Sequence, residues 1–597
     1  MPSQEIGKPI PNIEHAVSVT LPTWEATIGY EKGEDWVVSK MTLGYPRFFI
    51  HSVIKTVAKE IETKYGREGE SAMVFPTYNV AKRCREFIKK RSDNKPSVRV
   101  LQLSTRPPAN DDEKSTVLET NIGVVFFPTE EFPVAKQYWQ HSGEGISSRM
   151  GEYLLKELFK KEASPGPLLF PNSSHNVLNK SSANNNLKQD LQAKQIQKKS
   201  PSISHSSPLT ANEEIEKEFN TFIEQKYGRV LDLKFAKESK IALRRRICGK
   251  VDKSHNQIEE MEKASRGKHL SEVDVLLYPS GMAAIFNAHR ALLNIWDTPK
   301  KSVCFGFPYL DTLNILNKFG PGCHFLGMGD DESLDQLEKD LESGTIDIMA
   351  LFCECPSNPL LKTPNLKKIR ELADKFNFAV VVDETVGNFL NINVLPYADM
   401  VASSLTKVFS GDSNVMAGSL VLNPLSKYYD ILREYFDEDF EDLLWEQDAL
   451  YLERNSRDFA SRAAKIDDTT LETVKLLQNC DLIAQVYHPS ISPTKHHYDS
   501  IRNADGGYGG LISFVFHEEA AAICFFNTVN IHKGPSLGTN FTLACPYAIL
   551  AHYHELDEIA QWGVDRNLIR ISIGLEEPRD LLAILQHSLD AASKIIK

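Results

Sequence analysis

The sequence is short of several things. It nowhere runs to 18 consecutive apolar residues, and its opening, MPSQEIGKPIPNIEHAV, lacks the basic segment and apolar stretch of a secretory leader. The expectation is a cytoplasmic or nuclear protein without a membrane partner. Positive charge is scarce too: 68 Lys and Arg against 80 Asp and Glu leave a formal charge of −12. That balance disfavours nucleic acid and anionic membrane as partners and favours a small molecule or another protein. Nine cysteines in 597 residues carry no framework spacing, which suits a reducing compartment. Only Cys353 and Cys355 are close enough to suggest a metal pair. They lie in the buried-strand pattern IMALFCEC with no second pair at zinc spacing, so packing is expected and no metal.

What is present separates into regions by composition. A 597-residue chain is too long for one ordinary core. Residues 163–212 are rich in Ser, Asn, Gln, Lys and Pro and cannot bury enough surface to offset ordering entropy, so they read as a disordered linker. Before it, residues 1–162 mix apolar runs such as AMVF and IGVVFF with helical patterns such as IHSVIKTVAKEIETKYG, enough for a small α/β domain of unnamed role. After it, short β-rich runs (VDVLLY, SVCFGF, CHFLGM, IDIMALFC, FAVVV, MVASS) alternate with helical segments over residues 213–424. In one of these, Leu366, Ile369, Leu372, Ala373 and Phe376 share a helical face. Alternation with continuously apolar strands predicts a mainly parallel sheet covered by helices on both faces. Residues 425–597, with longer helices and the strand pattern GGLISFVFH, read as a smaller carboxyl-terminal α+β domain.

Ligands of such sheets sit beyond the carboxyl ends of the strands. After VDVLLY, Ser280-Gly281-Met282 forms a glycine turn opening into a helix, a place whose free N–H groups favour a phosphate. Glu354 and Asn358 follow IDIMALFC, and Asp383 follows FAVVV. Lys407 follows MVASS among small residues. A lysine is usually solvated, but one at this edge can form a Schiff base with an aldehyde. An aldehyde that also bears a phosphate, pyridoxal 5′-phosphate (PLP), unites these groups in one site. His496 and His497 read as solvated or packing residues, and the run Arg244-Arg245-Arg246 as one basic helix face rather than a phosphate or partner site.

Ser280-Gly281-Met282, Glu354-x-Pro-Ser-Asn-Pro, Asp383, Ser404-x-Thr406-Lys407, Ser536-Leu537-Gly538 and Arg570-x-Ser-x-Gly-x-Glu576 resemble, in order and spacing, the Cys/Met-metabolism family of PLP enzymes. Residues 1–212, through stretches such as HAVSVTLPTWE and GYPRFFIH, are similar to the extension of the long fungal cystathionine γ-synthases. The resemblance implies an aminotransferase-like fold (fold type I) and a role for each residue. Lys407 would hold the cofactor and then shuttle protons, Asp383 would pair with the pyridinium nitrogen, Asn358 would bond the ring hydroxyl, and Tyr309 would stack on the ring and assist proton transfer. Gly281, Met282, Ser404 and Thr406 would bind the phosphate, with Tyr227 and Arg229 completing the cradle from a neighbouring subunit, so that a dimer or tetramer is required. Arg570, supported by Ser536, would grip the substrate carboxylate. The implied reaction joins an O-acylhomoserine to cysteine. Its rivals are sulfide addition, cystathionine cleavage, or a non-catalytic regulator on the same scaffold. Two departures, Glu384 for the family's Asn and Ser410-Gly411-Asp412 for its Gly-His, spare the cofactor residues and bear on substrate and reaction preference.

Overall fold

The structure, a computed structural model, describes residues 5–41, 43–45, 49–160, 232–249, 266–267 and 269–596. The expected linker at 163–212 and the pair Tyr227 and Arg229 lie outside the described residues. Residues 1–163 and 228–597 form one compact unit. No helix among the described residues is long and apolar enough to cross a membrane.

The central sheet has seven strands in the order Val275–Tyr278, Gly418–Leu422, Met400–Ser404, Ala379–Asp383, Ala350–Glu354, Ser302–Phe305, Cys323–Leu326. Each expected run supplies a strand. The strand Gly418–Leu422 was not anticipated and is antiparallel to both of its neighbours. It follows the Lys407 loop so closely that the chain must turn straight back along Met400–Ser404, leaving no room for the crossover helix that a parallel strand needs. The helix Leu366–Phe376 is capped by the Asn365 side chain, ends on left-handed Asn377, and buries Leu366, Ile369, Leu372 and Ala373 as their spacing requires. A five-stranded, largely antiparallel sheet follows, in the order Ile483–Tyr487, Leu511–Phe516, Ile569–Ser572, Leu543–Pro546, His532–Lys533.

The amino-terminal extension has its own antiparallel sheet, Glu70–Phe75, Asn121–Pro128 and Arg99–Ser104, where the runs AMVF and IGVVFF fall. Its core is not separate. One apolar cluster joins Phe75, Val125, Phe127 and Tyr138 of the extension to Leu276, Ala283, Phe286 and Phe352 of the central sheet and its first helix. Tyr138 meets Phe286 edge-on at 6.2 Å between centroids, and its hydroxyl donates to Glu144 at 2.9 Å. Glu144 is fully buried and also accepts from Arg83 at 2.8 Å and Asn287 at 3.1 Å. A buried carboxylate is tolerable only when so paired, and losing one partner typically costs about 3–5 kcal/mol. This knot therefore fastens the extension to the helix that begins at Gly281.

Candidate active site

A cavity of about 200 Å³ opens at the carboxyl ends of the central strands. Its lining gathers Gly281, Met282, Tyr309, Asn358, Asp383, Ser404, Thr406, Lys407 and Arg570, which the sequence scatters over nearly 300 positions. Asp383 and Ser404 end buried strands of the central sheet, Gly281, Met282, Tyr309, Asn358, Thr406 and Lys407 lie in the turns and helix starts just beyond such ends, and Arg570 comes from the strand Ile569–Ser572 of the second sheet.

Ser280 caps the helix Gly281–Ile295 by accepting from Ala283 N–H at 3.1 Å. Gly281 is demanded by space, because a Cβ there would lie 2.7 Å from the Ser404 Cβ and 2.9 Å from its Cα. The first turn and the Met400–Ser404 strand end thus close into a cradle whose amides and hydroxyls suit a phosphate. The Thr406 hydroxyl is engaged with the chain, donating to Ala417 C=O at 3.3 Å and accepting from Ala417 N–H at 3.1 Å.

Asp383 and Glu354 end adjacent parallel strands directly opposite one another. Burial pushes the Asp383 carboxyl up, opposed by hydrogen bonds from Thr385 and by the Lys407 charge. Burial and the Asp383 charge push Glu354 up to about 8, opposed by the N–H groups of Tyr309 and Asn358. Of the two, Asp383 alone has the Lys407 charge beside it, which favours the negative charge there. Glu354 accepts from the Tyr309 N–H and, at 3.1 Å, from the Asn358 N–H, so it sets both residues. The Tyr309 hydroxyl lies 3.7 Å from the Met282 sulfur.

Lys407 is 8% exposed; its Nζ donates to the Tyr45 hydroxyl at 2.8 Å and to Ser536 Oγ at 3.3 Å. Arg570 is 4% exposed and donates to Asn358 Oδ1 at 3.0 Å and to the carbonyls of Pro535 and Ser536 at 3.1 and 3.0 Å. Among the described residues no carboxylate pairs with it, which leaves a buried, oriented guanidinium for an incoming one. Ser536 therefore supports Arg570 through its carbonyl, while its hydroxyl serves Lys407.

Both departures find partners inside the chain. Glu384 pairs with Arg266 in a buried contact, with the guanidinium 4.4 Å from the Phe389 ring centroid. The Lys407 loop is held by Arg462, which donates to the carbonyls of Val408 and Phe409, each at 3.0 Å, and to Asn540 Oδ1 at 2.9 Å. Asn540 in turn donates to Asp412 at 2.7 Å. The three arginines at 244–246 are not a ligand surface, since Arg246 pairs with Glu453 at 3.0 Å and Arg245 with Glu272 at 3.4 Å. Cys353 and Cys355 are buried free thiols.

Several lining residues escaped the sequence reading. Glu354 stood in plain view at a strand end. Tyr45, Gly143 and Arg149 come from the extension, where no motif marks them. Gly143, at φ +66°, brings its carbonyl 2.9 Å from Ser280 Oγ, so the extension touches the phosphate cradle itself.

Lys407, Asp383, the turn at Gly281 and Arg570 thus converge on one opening, a set of groups that suits an aldehyde bearing a phosphate together with a carboxylate. The chain matches the family described as Cys/Met metabolism PLP-dependent enzyme over residues 191–590, and the fungal trans-sulfuration enzyme amino-terminal domain over residues 53–147. It belongs to that family of PLP-dependent enzymes. It is 43% identical to the cystathionine gamma-synthase of Saccharomyces cerevisiae, covering 99% of this chain and all of that one. It is also 43% identical to the cystathionine gamma-synthase of Neurospora crassa, covering 100% of this chain and 99% of that one. Among solved structures, cystathionine gamma synthase from Xanthomonas oryzae pv. oryzae aligns with TM-score 0.48 and 24% identity, over 58% of this chain and 91% of that chain.

Proposed function

We propose that the protein joins an O-acylhomoserine to cysteine, forming cystathionine by replacement at Cγ, in the service of methionine biosynthesis. The observation that carries this is the buried Arg570, paired with no carboxylate among the described residues and sharing a cavity with Lys407 and Asp383, in a chain alike over its full length to two cystathionine gamma-synthases.

The residues present fit PLP: Lys407 for the aldehyde, Asp383 for the ring nitrogen, Asn358 for the ring hydroxyl, Tyr309 for the ring face, and Gly281, Met282, Ser404 and Thr406 for the phosphate. When bound, the cofactor supplies an electron sink for negative charge developing on the substrate. Arg570 grips the α-carboxylate in a bidentate pair and fixes the substrate's register. Lys407 Nζ takes the proton from Cα, and its neighbourhood of hydroxyls keeps the amine in place for further proton transfers. A Cβ proton leaves next, and the electron pair left behind expels the acyl carboxylate as the Cγ–O bond breaks; the cysteine sulfur then forms the Cγ–S bond with loss of the thiol proton, and Lys407 returns protons to Cβ and Cα. Burial of Asn358, Thr406, Lys407 and Arg570 limits the water that would compete with the thiol.

Tyr227 and Arg229 complete the phosphate cradle of a second copy, so the working unit is a homodimer or a tetramer of such pairs, placed in the cytoplasm or nucleus. Mixing inactive Lys407→Ala and Arg229→Ala chains tests this, since hybrids would regain one intact site. The decisive experiment supplies purified protein with O-acylhomoserine, cysteine and sulfide together. Cystathionine as the main product is expected. Homocysteine, breakdown of added cystathionine, or no product would each replace the proposal with one of its rivals.

A further inference from the structure

The extension touches Lys407 itself. The Tyr45 hydroxyl accepts a hydrogen bond from Lys407 Nζ at 2.8 Å across 362 residues of sequence, and Nζ lies 4.9 Å from the tyrosine ring centroid. Residues 16–22 of the extension, against which Leu43 near Tyr45 packs, are anchored on both sides of the lysine. Leu43 packs with Ala16 and Val19 in a small buried cluster. The strand neighbouring that cluster is stitched to the lysine loop, with Val17 N–H donating to the Ser413 carbonyl at 2.9 Å. Four residues on, Leu21 N–H donates to the Lys533 carbonyl at 3.0 Å, and Lys533 Nζ returns to the Pro22 carbonyl at 3.1 Å, just ahead of Ser536. The extension therefore grips both the loop bearing the amine and the loop bearing its second hydroxyl partner.

We propose that Tyr45 is a positioning residue for Lys407, and that the extension is held against the site in order to place it. The proposal rests on Lys407 being the reactive amine of the function proposed above. A phenol hydroxyl accepts from an ammonium and donates to a neutral amine, so one contact serves the lysine before and after it takes a proton. Four rotatable bonds make a freed lysine a poor proton shuttle unless its end is tethered. Ser536 alone gives one tether; with Tyr45 the amine is held from two sides, one of them built by a part of the chain that otherwise carries no chemistry.

The test uses Tyr45→Phe in the full-length protein, which keeps the ring and removes the hydroxyl, checked for an unchanged thermal melt. In cofactor-free protein, acylation of Lys407 by a small amine reagent, followed by mass spectrometry of its peptide, is expected to run at least about threefold faster, because the amine loses a hydrogen-bond acceptor. In PLP-loaded protein, exchange of the alanine Cα proton with solvent deuterium is expected to slow about tenfold with little change in the alanine concentration needed. Equal labelling and equal exchange in Tyr45→Phe and wild type would overturn the proposal while leaving the enzyme's function standing. Wild-type protein that fixes no PLP on Lys407 under borohydride would overturn the function as well.

Discussion

The cavity has two walls of different origin. One is made of strand ends, where Glu354, Asp383 and Ser404 close neighbouring strands of a sheet whose hydrogen bonds fix their spacing, with Lys407 in the turn just beyond Ser404. The other is made by the extension, where Tyr45, Gly143 and Arg149 arrive on loops and a helix start and are held by packing and side-chain contacts. Chemistry concentrates on the first wall and placement on the second. The contrast shows how an added domain can enter a reaction without carrying a recognisable motif.

The largest effect should come from the sheet wall. Lys407→Ala is expected to lower turnover by about ten-thousandfold and to abolish the borohydride-fixed adduct, measured by absorbance and by mass. A residual rate within tenfold of wild type would put the reagent elsewhere. Next, Arg570→Lys keeps the charge but loses the planar fork. About 10- to 100-fold in kcat/KM should go, the worth of a charge-assisted bidentate contact, and mostly as raised KM. Gly143→Ala probes the extension wall: its Cβ would lie 2.4 Å from Ser280 Oγ at a φ of +66°, so the loop must shift. A loss of about 1–2 kcal/mol in stability is expected. A severalfold weaker hold on PLP should accompany it, read by equilibrium dialysis. Unchanged cofactor affinity would separate the two walls after all.

The smallest effect is a slope. Glu354, held up to about 8 against an ordinary 4.5, keeps a proton in the folded state that the unfolded chain has released. Stability of the cofactor-free protein should therefore fall as pH rises from about 4.5 to about 8. Glu354→Gln should flatten that fall, measured by urea midpoints across the range. An identical slope in the variant would show that Glu354 is ionised like an exposed acid.

Legibility followed the same divide. The strands, the helix Leu366–Phe376 and the residues at the sheet's edge could be read because periodicity and strand termini are local signals, written within a few residues of each functional group. Gly418–Leu422 was missed because its GSLVL looks like the continuation of a loop until its two partners are known. Tyr45 lies in GYPRFFIH, legible as a stretch similar to the fungal extension but not as part of the site, because its role depends on a contact 362 residues away. Glu384 was legible as a departure but not as a structural one, since its compensating partner, Arg266, lies more than a hundred positions earlier.

The hydrogen bond from Leu21 to Lys533 has a consequence in time. A chain is made from its amino end at about 5–20 residues per second, so the 512 positions between these residues take about 25–100 s to synthesise. The extension can fold its own three-stranded sheet early, yet its tyrosine has nothing to hold until Lys407 exists, and the residues at 21–22 that anchor it have no partner until the strand His532–Lys533 does. The active site is thus the last thing the molecule acquires, and the piece that closes it has been waiting the longest.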